Sequence, residues 1–492
     1  MSKLNKWLGL TPIWSNPIGW ARKVGQSRSK VIVWILILMV ALASGVCAQE
    51  KPRVLVLTDI SNEPDDEESL VRFLVYANEF DVEGLVATTS TWLRTKTRED
   101  LIRRDIAVYA EVRTNLLKHA PGFPPAEQLL AVTKTGQTGY GMQFVGPEKS
   151  TAGSQLIIDA ADKTDPRPIW VAVWSGANTL AQALTDVRAA RSPEELKRFV
   201  AKLRVYAISD QDDAGAWIRK EFPDLFYIVS PSTQDGKEYW RATWTGISGD
   251  RHYRNGPWHK FNLVDNPWLE EHVIKNHGPL GALYPKLAYI MEGDTPTFLG
   301  LIDNGLGWTT SPSYGGWGGR YVLYRPSGET RRIWTNNDDS RDTVTADNGK
   351  TETSDPATIW RWREQYQNDF AARMNWCVAN DFTNANHNPV AVLNGDRTKN
   401  VLTISATNSA TVALTAEGTS DPDGNTVRAT WWIYSEAGNV WGATLTATEG
   451  LKTEVHLPQV KKSAQFHVIL QVEDDGDPHL FAYRRAIIEV QP

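Results

Sequence analysis

Val54-Leu-Val-Leu-Thr-Asp-Ile-Ser-Asn-Glu-Pro-Asp-Asp-Glu-Glu-Ser-Leu70 runs from a bare apolar segment into a dense cluster of acids. Val54 to Leu57 lacks the alternation of a half-buried strand, which suits a strand covered on both faces in a parallel sheet. Pro64 suits the first position of a helix, and Leu70, Phe73, Leu74 and Ala77 recur at helical spacing. Asp65 and Asp66 therefore open a helix just past the carboxyl end of a strand, where an open α/β sheet places its ligand crevice. Acids in a first helical turn are favoured by the helix dipole alone. Five of them between Asp59 and Glu67, however, would repel one another unless a cation joined them. Hard oxygen ligands at this density suit calcium or magnesium.

The turn resembles the amino-terminal Asp-x-Asp-Pro-Gly-x-Asp-Asp motif of inosine-uridine nucleoside hydrolases. Asp59 and the pair Asp65-Asp66 keep its outer spacing, whereas Ser61, Asn62 and Glu63 replace its second Asp and its Pro-Gly. The variant Asp-Ile-Ser-Asn-Glu-Pro-Asp-Asp is more similar to a bacterial family described as cellulose-binding proteins with a nucleoside-hydrolase-like domain, and the resemblance covers most of residues 52–380. It implies Asp59 and Asp66 as calcium ligands. Asp294, in Met291-Glu-Gly-Asp-Thr-Pro, would complete the coordination with a main-chain carbonyl from Trp174-Ser-Gly-Ala-Asn-Thr-Leu-Ala181. That carbonyl maps to Ser175, or to Trp174 if a one-residue deletion shifts the register. The resemblance also implies Asp65 as the base that takes a proton from attacking water. Asn62 and Glu63, in the same turn, are candidate substrate-binding residues. The family's His before its late Asp is replaced here by Gly293, so a leaving group other than a nucleobase is expected.

Ahead of the turn, a basic stretch ending at Lys30 precedes the wholly apolar Val31 to Ala43, and Val46-Cys47-Ala48 supplies small residues at a cleavage position. The apolar run is shorter than the ~20 residues of a membrane span, so residues 1–48 are expected to be a secretory signal and the mature chain to be secreted or periplasmic. The membrane is met only through this segment, if it stays uncleaved. Mature protein then keeps only Cys377, which has no disulfide partner in the chain. At roughly 440 residues it is long enough for two or three domains. A net charge of -6 argues against nucleic acid as a partner. The 21 tryptophans are expected mostly in cores, with some available to stack on sugars.

Beyond the acidic turn, Leu85 to Ala87, Ile169 to Val173, Val205 to Ile208 and Leu225 to Val229 read as further buried strands separated by helices. The run Ser209 to Asp213 at one strand end is either a solvated helix start or a set of sugar-hydroxyl acceptors, with Asp210 and Asp213 the candidates. Tyr239 to Trp268 reads as a lid or substrate wall. The spacing of His252, His259, His272 and His277 does not match a zinc site. Ser311-Pro-Ser-Tyr-Gly-Gly-Trp-Gly-Gly-Arg320 reads as an aromatic loop, and Trp360 to Trp376 as a last helix. Residues 381–389 have linker composition. From 390 to 492, alternating segments such as Phe466 to Val472 predict strands, and about a hundred residues suits an immunoglobulin-like β-sandwich. Asp421, Asp423, Asp474 and Asp475 there are read as turn residues rather than as calcium ligands.

The expected molecule is thus an α/β domain, with a mostly parallel sheet flanked by helices, followed by a β-sandwich. Its expected activity is calcium-dependent hydrolysis of a glycoside or N-glycoside in a plant or bacterial carbohydrate. The alternative is a non-catalytic polysaccharide-binding protein on the same fold. A homo-oligomer is compatible with the sequence.

Overall fold

The computed structural model describes residues 50–61, 63–230, 239–248 and 259–492. The expected signal segment, Asn62 and His252 lie outside the described residues. Eight strands build the main sheet: β1 (Arg53–Thr58), β2 (Asp81–Ala87), β3 (Thr133–Thr135), β4 (Ile169–Val173), β5 (Leu203–Ala207), β6 (Phe226–Val229), β7 (Val322–Tyr324) and β8 (Ile333–Thr335). Their order is β3-β2-β1-β4-β5-β6-β8-β7, parallel throughout except for β7, which runs antiparallel to β8 at the edge. The sheet is therefore longer than the five strands expected from sequence. It gains β3, β7 and β8.

Every residue of β1 is buried. Val54 and Val56 point into one core with Leu70, Phe73 and Leu74 of the helix Asp65–Val75 and Phe370 of the helix Arg363–Trp376. Leu55 and Leu57 point into the other, with Ile157, Leu180, Leu184 and Ile218. A strand whose alternate residues feed two cores has no face left for polar side chains, and this is why its sequence shows no alternation. No described helix is long and apolar enough to cross a membrane.

After a short hairpin, β9 (Asp342–Thr345) and β10 (Thr351–Ser354), the carboxyl-terminal region forms two sheets around one apolar core. One has the order β11-β17-β16-β13, from Leu402–Thr407, Phe481–Gln491, Ala464–Asp474 and Val427–Ile433; the other is β12-β15-β14, from Thr411–Thr415, Lys452–His456 and Thr444–Leu445. Asp421 Oδ1 accepts from the backbone N–H of Asp423 and Asn425, as a turn requires.

This β-rich region does not hang from a free linker. Residues 51–492 form one compact unit. The Trp362 ring meets Tyr483 at 5.5 Å and Trp432 at 5.6 Å. Arg485 donates to the carbonyls of Leu306 and Gly315, at 2.7 and 2.9 Å. Within the stretch read as a linker, Asn386 and His387 are buried, and Asn388 donates to Asp369 Oδ1 at 2.8 Å. The polar residues that suggested a free connection are instead spent on hydrogen bonds at the seam. Gly305 marks the closest approach: its φ is +91°, and a Cβ there would lie 1.8 Å from the Tyr483 carbonyl oxygen. Gly305→Ala is expected to cost about 1–3 kcal/mol by overpacking. A urea midpoint that falls with an unchanged m-value would show this, whereas an unmoved midpoint would mean the two surfaces do not press together here.

Candidate metal centre

β2 and β3 lie on one side of β1, and β4 to β6 on the other. The chain order reverses between β1 and β4, and an open parallel sheet has its crevice at the carboxyl ends of such a pair. Asp59 follows β1 directly, while Trp174 and Ser175 follow β4. The two ends are tied together, since Trp174 N–H donates to the Leu57 carbonyl at 2.9 Å and Ser175 Oγ to the same oxygen at 3.2 Å. Asp65 and Asp66 open the next helix, with Pro64 at its cap. Between them and β1 the chain turns sharply through Ser61, whose φ of +102° is strained for a residue with a side chain. Asp294 arrives from far along the chain, just before the short helix Pro296–Leu299.

Carboxylate oxygens of Asp65, Asp66 and Asp294 lie within 4.8 Å of one another, and Asp59 joins them electrostatically. All four residues are more than nine-tenths buried. Asp66 Oδ1 accepts from the Thr58 hydroxyl, and Asp59 Oδ2 from the Ser90 hydroxyl. By contrast Asp65 Oδ1, both Asp294 oxygens and the Ser61 hydroxyl have no hydrogen-bond partner among the described residues. Burial, set against a Ser90 hydrogen bond and raised further by Glu63, pushes Asp59 up to about 7. Burial, then the charges of Glu63 and Asp59, push Asp65 up to about 8. Asp66 and Asp294 are raised by burial first and by the neighbouring acids next. Buried carboxylates that repel one another, with oxygens left unsatisfied, fit a hard divalent cation.

Behind the cluster is a second layer that the sequence did not disclose. Glu68 Oε2 accepts the backbone N–H of Glu292 at 3.0 Å, two residues before Asp294. Glu292 has a φ of +51°, and its carboxylate pairs with Arg72 at 2.6 Å, both side chains being fully buried. The Tyr284 hydroxyl adds a bond at 2.7 Å. The first two turns of one helix thus carry two acids of the site and, through Glu68 and Arg72, the loop that brings Asp294 to them. Glu292→Ala would leave Arg72 buried without its carboxylate and is expected to cost about 3–5 kcal/mol. Chemical unfolding of that variant would measure it, and a loss below ~1 kcal/mol would show the pair to be dispensable.

The structure brings Asp59, Asp65, Asp66 and Asp294 together, and Ser175 is buried at the end of β4, bonded to the Leu57 carbonyl. The Trp174 carbonyl accepts from Gln211 Nε2 at 2.8 Å. Glu63 stands within electrostatic reach of Asp59 and Asp65. Asp210 does not join the site as a hydroxyl acceptor: both its oxygens are engaged by Arg219 in a bidentate pair at 2.7 Å. Asp213 Oδ1 accepts the Met142 N–H at 2.8 Å. Asp212 caps the chain at Asn178 and Ala214. Asp210 and Asp212 thus have both carboxylate oxygens engaged within the fold, whereas Asp213 is exposed and uses one oxygen in this way. His272 and His277 pack against Trp268 and Asn375.

In sequence Ser90 reads only as part of the polar turn after Ala87 and Thr58 as the end of β1; the fold turns both hydroxyls onto acids of the site. Trp244 falls in the Tyr239 to Trp268 stretch that reads as a lid or substrate wall, but nothing in the sequence marks it out from the other residues there. Its ring lies where a side chain at position 293 would go: a Cβ on Gly293 would come 3.0 Å from the indole and 3.3 Å from Asp65 Oδ2.

A parallel sheet with an acidic pocket at its β1–β4 switch defines a nucleoside-hydrolase-like domain. The model of the cellulose-binding Sde182 nucleoside hydrolase-like domain matches residues 53–321, and that of the Sde0182 carboxyl-terminal domain matches 411–490. The chain belongs to this Sde182 family. A nucleoside hydrolase-related hypothetical protein from Saccharophagus degradans, associated with carbohydrate metabolism, is 37% identical over 90% of this chain and 100% of its own, with a TM-score of 0.77. The effector protein XOO4466, 11% identical over 72% of this chain and 100% of its own with a TM-score of 0.31, is too distant to carry an argument. No curated protein matches the chain.

Proposed function

We propose that the protein is an exported hydrolase of glycosidic bonds that works on a carbohydrate with a bound divalent cation, calcium being the expected one. The observation that carries this is the convergence of the buried Asp65, Asp66 and Asp294 at the sheet's switch point, with Asp59 beside them and with oxygens of Asp65 and Asp294 unsatisfied among the described residues. Asp59, Asp66 and Asp294 would hold the ion with a carbonyl from Ser175 or Trp174. When bound, a divalent ion acidifies water and anchors hydroxyls. Asp65 is the group left to take a proton, since its Oδ1 has no partner among the described residues and burial raises its basicity. Thr58 and Ser90 hold the carboxylates of Asp66 and Asp59 in fixed orientations. Burial keeps bulk water from the attacked carbon, which acquires oxocarbenium character as the glycosidic bond breaks. Gly293 has no side chain to protonate a departing base, and Trp244 stands against it, so glycosides rather than nucleosides are the expected substrates.

Ser61 in place of an acid favours a second reading, in which the fold binds polysaccharide without turnover; the family's cellulose-binding description supports it. A screen of nucleosides, aryl glycosides and plant polysaccharides with calcium present separates the two. Product from a glycoside is expected. Rapid inosine or uridine hydrolysis would overturn the substrate class, and binding without any product would establish the second reading. Export rests on the basic and apolar stretches before Gln49, and an extracellular protein still carrying Lys30 would contradict it.

A further inference from the structure

We propose that Trp92 and Trp240 form a stacking rim over the carboxylate pocket for a β-1,4-linked glucan chain, an assignment that rests on the carbohydrate reading above. Among the described residues, tryptophans are buried or half-buried with three exceptions: Trp92 is 52% exposed, Trp240 57% and Trp441 61%. Two of the three lie in segments that reach the acidic cluster. The Ser90 hydroxyl that donates to Asp59 also accepts the backbone N–H of Trp92 at 2.9 Å, and Thr91 N–H donates to the Gln211 carbonyl at 2.7 Å. Trp240 follows Tyr239, whose hydroxyl donates to Ser209 at 3.3 Å and whose ring meets Trp244 edge-on at 6.0 Å. Trp244 in turn lies against Gly293, beside Asp65. The residues next to both tryptophans, Thr91 and Tyr239, therefore bond to the Ser209 to Gln211 segment, one from the β2 side and one beside Trp244.

A glucose ring linked through equatorial bonds has apolar C–H faces and a rim of hydroxyls. Indole faces suit the former, and acidic oxygens between them suit the latter. A cluster of acids flanked by exposed indoles complements such a chain on both counts, Arg241 lying 5.9 Å from the Trp240 ring centroid and leaving that residue 57% exposed, and a chain longer than one sugar is needed to reach beyond the acids to the rim.

Titration of cellohexaose into the full chain with calcium, by calorimetry, tests the assignment. Trp92→Ala and Trp240→Ala are each expected to weaken binding about tenfold with an unchanged melting temperature, since both rings are exposed. Trp92→Tyr and Trp240→Tyr should keep most of the affinity, which separates stacking from damage to the fold. Trp441→Ala should leave binding unchanged. Wild-type affinity in the double alanine variant would overturn the rim while leaving the carbohydrate reading intact, as would a loss seen only in Trp441→Ala. Inosine binding that depends on both indoles, with none of cellohexaose, would overturn the glucan assignment. Failure of the wild type to bind any glucan would instead remove the carbohydrate reading on which the rim rests.

Discussion

Asp65→Asn is expected to fold, to keep most of its sugar affinity and to lose turnover by about 10²–10⁴-fold, the usual worth of a positioned general base. The amide has the shape of the carboxyl group, so the first helical turn and its neighbours keep their places. What disappears is a carboxylate oxygen that lacks a partner among the described residues and that burial has made basic. The effect should fall on kcat, with KM little changed, because the base acts only as the bond breaks. A fall in affinity equal to the fall in turnover would make Asp65 a ligand or hydroxyl anchor instead, and unaltered turnover would remove it from the chemistry altogether.

Calcium removal is expected to destabilise the protein, and more so at pH 8.5 than at pH 5. Asp59 and Asp65 have folded-state values of about 7 and about 8 without a cation, against 3.8 for the free side chain. Values raised on folding mean that the native state binds protons the unfolded chain has released. Their contribution to stability is therefore complete below about pH 4 and is lost as the pH climbs through 7 and 8. With buried groups shifted this far, the loss is on the order of several kcal/mol. A bound cation takes over the role of those protons, so in calcium the same rise in pH should cost little, and the stabilisation should grow with calcium concentration. Asp66→Ala should weaken calcium affinity most. Melting curves in chelator and in calcium at the two pH values measure all of this. Identical curves in chelator and in calcium would leave helix capping as the whole account of the acids.

The site was legible where local sequence determines it. Val54 to Asp66 announces a buried strand, a turn and an acidic helix start because each depends on neighbours in the chain. Asp294 was reachable only through the resemblance, since nothing near it says that the fold returns it to Asp65. Strand β3 is three mostly polar residues, Thr133 to Thr135, and β8 meets β6 through the single pair Ile228 and Trp334; neither carries a run long enough to show a period. Asp210 illustrates the opposite failure. Its place in an acidic run suggested a ligand contact, but Arg219, two turns along the following helix, takes both oxygens. Likewise Arg72 and Glu292 are ordinary charges in sequence, and only the folded chain makes them a pair that fixes the pocket.

Trp244 and Gly293 also constrain how this site could change. A histidine placed at 293 alone would set its Cβ 3.0 Å from the indole, so the ring must give by a few tenths of an ångström before the imidazole finds room. A smaller residue at 244 would relieve that contact, and the effect of a change at 293 is therefore expected to depend on the residue at 244. Such coupling is epistasis, and a change of this site toward nucleobase chemistry is best sought in the two positions together.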